Sequence, residues 1–183
     1  PAEQTVEGGE NVPVPVVLEA ANSVARIDET TYPSLQEALN AVKKEGDTTV
    51  ELLADVNLTD QKWTSVDVNG SETEGIGTVT LNGNNHTITG LNAPLFGKVG
   101  TGSSGIVIKK LTLDNANITL DADDTTKTTG VGAFIGYAGA ADPVTLENCK
   151  LTNSNVKGGH WAGGLIGYTA GFSGIGNGER ASH

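Results

Sequence analysis

Three apolar-apolar-glycine units, Leu95-Phe96-Gly97, Phe134-Ile135-Gly136 and Leu165-Ile166-Gly167, recur at intervals of 39 and 31 residues. They constrain the fold more than any other feature of the chain. The last two extend to Gly132-Ala-Phe-Ile-Gly-Tyr137 and Gly163-Gly-Leu-Ile-Gly-Tyr168, and a second unit, Leu113-Asp-Asn-Ala-Asn-Ile118, matches Leu151-Thr-Asn-Ser-Asn-Val156 at an offset of 38. One such unit cannot bury its apolar residues alone, so equivalent positions are expected to stack on those of the next coil. Unequal spacings then become loop insertions, the clearest being the acidic, threonine-rich stretch from Asp121 to Thr129.

The segments between the glycines read as short strands. Thr49–Leu53, Val56–Leu58, Val66–Val68, Thr78–Leu81 and His86–Thr89 alternate apolar and polar residues, with Asn69-Gly70 and Asn82-Gly83-Asn84-Asn85 as turns between them. Val24 to Ile27 and Thr31-Tyr32 suggest a strand pair. A single helix is expected at about 35–45, where Leu35, Ala38, Leu39 and Val42 share one face. Ser34 and Glu37 have capping-box spacing, and Gly46 offers a left-handed stop. Residues 1–23, acidic and then interrupted by Pro13 and Pro15, read as an extended tail ahead of one domain over 24–183.

Composition agrees with an all-β chain, because 25 glycines and few aromatic residues suit short strands and tight turns. A net charge of −11 disfavours nucleic acid and anionic lipid as partners. No apolar run approaches the roughly 18 residues that would cross a bilayer, so no membrane insertion is expected. The lone Cys149 excludes an internal disulfide framework and reads as a small core residue. A start at Pro1 and the absence of methionine fit a processed or trimmed product, from which secretion is inferred.

The Gly-Gly-Leu-Ile-Gly-Tyr unit, spaced by a segment such as Val144-Thr-Leu-Glu-Asn-Cys-Lys-Leu151, resembles the GLUG-type repeat of bacterial surface proteins. Tyr32-Pro-Ser-Leu-Gln-Glu-Ala-Leu-Asn-Ala-Val42, followed by Thr49 to Leu58, is similar to the start of pectate-lyase-like β-helices of Gram-positive surfaces. Together the two likenesses cover about 25–171. They imply a right-handed parallel β-helix, a solenoid closed at its N-terminal mouth by the helix, with coils over about 48–171. Only two full GLUG-like units are present, and the glycine-rich end at Gly178 to His183 reads as a truncated coil. Such an open coil would be a surface for self-association.

Enzymes on such a scaffold need carboxylates converging on one groove, which stacked coils would display as acids recurring in register. Here they do not recur: Asp114 aligns with Thr152, and Glu147 with Lys109. No catalytic residue is therefore assigned. Asp121, Asp123 and Asp124 are the candidate ligands for calcium, the one cofactor considered, yet Thr126 and Gly132 stand where an EF-hand needs glycine and glutamate. The stretch reads more simply as a solvated acidic loop.

Asn115 with Asn153, and Asn117 with Asn155, are expected to form a structural ladder at successive turns. His160 and Trp161, beside glycines, could offer an indole face to a sugar, and Tyr137 with Tyr168 could form an outward aromatic pair, although core or ladder stacking is the simpler explanation. The resulting expectation is a non-catalytic extracellular or cell-surface module, an adhesin or stalk, with a glycan or host surface protein as partner. Its alternative is the N-terminal part of a β-helical polysaccharide lyase or glycoside hydrolase whose catalytic coils lie elsewhere.

Overall fold

A computed structural model of the chain describes residues 22–42, 46–68, 76–99, 105–119, 131–138, 144–158, 162–169 and 174–175. Among the described residues the chain opens with β1 (Ala25–Ile27), β2 (Thr30–Tyr32) and the helix α1 (Leu35–Asn40). There follow β3 (Gly46–Leu52), β4 (Val56–Asn57), β5 (Val66–Val68), β6 (Ile76–Thr89), β7 (Phe96–Val99), β8 (Ile106–Asp114) and β9 (Asn117–Thr119). The remaining strands are β10 (Ile135–Ala138), β11 (Val144–Glu147), β12 (Lys150–Thr152), β13 (Asn155–Lys157), β14 (Ile166–Thr169) and β15 (Gly174–Ile175).

These strands correct the expectation of one right-handed parallel β-helix. They divide into three separate sheets: a nine-stranded one in the order β15-β11-β8-β6-β3-β1-β2 with β4 and β12 joined at β6 and β8, a four-stranded one ordered β14-β10-β7-β5, and the pair β13-β9. The largest is mixed, because β1 runs antiparallel to both β2 and β3. The cause is local: Asp28, in the left-handed region at φ 52, reverses the chain after only two residues, so β2 must return beside β1. A repeat found beyond Leu95 carries no information about strand direction before it.

The three apolar-apolar-glycine units do lie on adjacent strands. Phe96, Ile135 and Ile166 are partners in parallel register, and the Leu95 and Phe134 amides donate to the Ala133 and Leu165 carbonyls. In the large sheet Val50, Leu81, Ile108 and Leu146 form one inward column, and Val56, Ile88, Leu113 and Leu151 another. Burying each such side chain contributes about 1.5–3 kcal/mol. Outward, Arg26, Glu51, Asn82, Lys109 and Glu147 are successive partners, so opposite charges meet at both ends of the row. Cys149 is buried, its thiol facing the Ile108 carbonyl at 3.3 Å.

Left-handed residues set the corners. Asn84 and Asn85 bend β6 without ending it, so the two short strands expected there are one strand of 14 residues. Lys110 and Asn148 bend the two layers after it. At the next corner Gly90, Asn115 and Asn153 take positive φ in three consecutive layers. Asn117 and Asn155 are partners in register, so both asparagine alignments fall at equivalent places.

Helix α1 is shorter than its apolar spacing suggests. Ser34 caps it, accepting from the Glu37 amide at 3.1 Å, but the Ala41 amide is shared between the Glu37 and Ala38 carbonyls and the last turn closes at Asn40. Gly46, at φ +72, opens β3 and does not cap the helix.

Two glycines mark bulges. Gly77 and Thr78 lie where β6 shifts register against β3, as do Gly97 and Lys98 in β7 against β5. The amides of Thr78 and Lys98 donate to Asp47 Oδ1 and Asp67 Oδ1, each at 2.9 Å. A Cβ on Gly97 would collide with the Asp67 carboxylate oxygen, so that glycine and acid form one device; a Cβ on Gly77 would collide with the Asp47 carboxylate and also with the backbone of Gly46 and Asp47.

Candidate functional site

Of the residues singled out for ligand binding, the structure brings together Tyr137 and the backbone of Tyr168. They are partners on β10 and β14, and Lys98 of β7 is the partner of Tyr137 on its other side. Lys98 Nζ sits 5.6 Å from the centre of the half-buried Tyr137 ring, within cation–π range. His160 and Trp161 lie outside the described residues, and so do the calcium candidates Asp121, Asp123 and Asp124. Among the described residues no group of three or more His, Cys, Asp or Glu side chains converges as a metal site would require.

Four of the described aspartates, Asp47, Asp55, Asp67 and Asp114, are turned to neighbouring strands. Asp55 Oδ1 accepts from the Thr87 amide at 3.0 Å and faces His86 Nδ1 at 3.1 Å. The Thr87 amide, with His86 beside it, holds this carboxyl below the usual range. Asp114 Oδ1 accepts from Thr152 Oγ1 at 2.7 Å and Asn153 Nδ2 at 2.9 Å, and those two bonds lower its pKa likewise. Hydrogen bonds to a carboxylate favour its charged form. At this corner the Asn153 side-chain amide is bonded to the acid of the layer before.

A concave feature lies near the N-terminal end of the sheets, where sequence reasoning did not look. A cavity of about 340 Å³ opens between the start of α1 and the segment from Asp55 to Trp63. A second, of about 500 Å³, lies on the other side of the same turn, against Asn92 and Ala93. Gln61, Lys62 and Trp63 line both.

This turn is held with unusual care. Asp60 takes φ 64, and the Gln61 amide closes on the Leu58 carbonyl at 2.9 Å. Asn92 then grips both ends of the next step, accepting from the Trp63 amide and donating to the Gln61 carbonyl, each at 2.9 Å. Gln36 does the same to Thr64 from the helix, at 3.1 Å in both directions. Trp63 is 3% exposed, its indole Nε1 donating to the Leu95 carbonyl at 3.2 Å, and Ser65 Oγ donates to the Pro94 carbonyl at 2.6 Å. Against this rigid frame the side chains of Asp60, Gln61 and Lys62 are exposed, with no partner among the described residues.

A lone tryptophan in a polar stretch, Asp60-Gln-Lys-Trp-Thr-Ser65, is the one local signal that could have marked the place. Asn92 and Gln36 reach it from 29 and 28 residues away. No helix among the described residues is long and apolar enough to cross a membrane. No family model, curated protein or solved structure matches the chain.

Proposed function

We propose that this chain is a non-catalytic, extracellular module of a bacterial surface protein, adhesin-like in its role. The observation that carries the reading is how the carboxylates are used. Asp47, Asp55, Asp67 and Asp114 each accept hydrogen bonds from the adjoining strand. A general acid for glycoside cleavage needs its pKa raised, whereas Asp55 and Asp114 are pushed down. Carboxylates held ionised by such bonds are poorly suited to carry a proton to a leaving group. The GLUG-like units from Gly132 and Gly163 support placement at a cell surface, and the acidic net charge supports an uncharged partner such as a glycan over nucleic acid.

Two measurements test this. Incubation of the purified chain with pectin, xylan and mucin should release no new reducing ends or unsaturated products; turnover of any of them overturns the non-catalytic assignment. Antibodies against the chain should label intact source cells without permeabilisation, and labelling only after lysis would remove it from the surface.

A further inference from the structure

We infer that the turn Asp60–Lys62, with the cavities on either side of it, is a binding site for a neutral saccharide. The inference rests on the adhesin-like reading and gives it a location.

Three observations converge. The first is shape: an open cleft of about 340 Å³, within the roughly 300–1,000 Å³ common for small-ligand sites, is continued by a shallower depression over the same Gln61, Lys62 and Trp63. The second is chemistry. Within three consecutive residues stand a carboxylate that only accepts, an amide that does both and an ammonium that only donates, all without partners among the described residues. Each hydroxyl of a sugar is at once donor and acceptor, so adjacent hydroxyls can satisfy all three, while the half-buried Ala93 beside them supplies apolar contact for ring carbons. The third is preorganisation. Asn92, Gln36 and Ser65 fix the backbone of 61–65 through hydrogen bonds from other parts of the chain, so binding need not order the loop.

Charge selects among saccharides. Asp55 and Asp60 both border the site, one on each side; Asp55 already faces His86, and Lys62 is the one Lys or Arg among the lining residues, in a chain of net charge −11. A uronate or sialate would meet repulsion, which leaves neutral hexoses and their N-acetylated forms. Tyr137 is not part of this site, since its ring is already engaged by Lys98.

The test is a nitrogen-15 NMR titration of the whole chain with glucose, galactose, N-acetylglucosamine, lactose and glucuronate. One or more of the neutral sugars should shift the Gln61, Lys62 and Asn92 signals and the Trp63 indole N–H in a saturable way, with glucuronate binding at least tenfold more weakly. Gln61→Ala and Lys62→Ala should each weaken that affinity three- to tenfold with the melting temperature unchanged, because neither side chain bonds to another among the described residues. Absence of saturable shifts at these residues with all four neutral sugars overturns the site, as do shifts confined to another face, preference for glucuronate, or variants that bind unaltered. Loss of the site on any of these grounds leaves the non-catalytic reading standing; hydrolysis of a bound sugar would do the reverse.

Discussion

Gly97 and Asp67 show how much a single position can carry. The carboxylate oxygen lies 2.6 Å from where a Cβ would go and accepts from the Lys98 amide at the bulge. Gly97→Ala should therefore cost about 1–3 kcal/mol in urea unfolding. In an Asp67→Ala background the same change should cost under about 1 kcal/mol, a coupling that a double-mutant cycle reads directly. Asp114 makes a different prediction. Its folded-state pKa is lowered, so its contribution is present above the ordinary aspartate value of about 3.9 and is lost as pH falls through the lowered one. Asp114→Asn should thus melt below the parent at about pH 6, and the gap should narrow steadily on acidification below about pH 4. A gap that stays constant across that range would show that the carboxylate's charge is not what Thr152 and Asn153 hold.

Among elements, the outward row from Arg26 to Glu147 offers the plainest test of cross-strand pairing. Lys109→Glu sets two acids directly opposite each other on β8 and β11 and should destabilise by about 0.2–1 kcal/mol, less at high salt. The turn over Trp63 should respond to Asn92→Ala with faster amide hydrogen exchange at Gln61 to Ser65 and little change in β6 or β8, since its grip is local. These elements also divide into those legible in the sequence and those not. Val66–Val68 was readable from alternation, Ser34 from its spacing to Glu37, and the corner asparagines from their residue type, because each signal lies within a few residues of its effect. The acids beneath Gly77 and Gly97 and the grip of Asn92 and Gln36 join positions 28 to 31 residues apart, and β1 pairs with β3 across 23 to 27. No local pattern encodes such pairings. The stacked triplets were visible only because repetition turns a distant contact into a recurring string, and the N-terminal strands, which do not repeat, gave no such string.

Across the whole molecule, each inward column ties layers that are far apart in sequence, so damage at one layer is felt by its neighbours. Leu81, fully buried between Val50 and Ile108, should cost about 2–5 kcal/mol when truncated to alanine, and unfolding should stay a single transition in fluorescence and circular dichroism. Partner strands separated by some thirty residues also imply slow refolding, on the millisecond-to-second scale of non-local β topologies. The glycine and aspartate of the β7 bulge have a further consequence for the history of such chains. A lineage that acquires a side chain at position 97 must move or give up the acid at 67, whereas position 77 is held to glycine by the backbone of 46 and 47 whatever side chain stands at 47. Positions 67 and 97 should consequently vary together among descendants, while position 77 stays glycine.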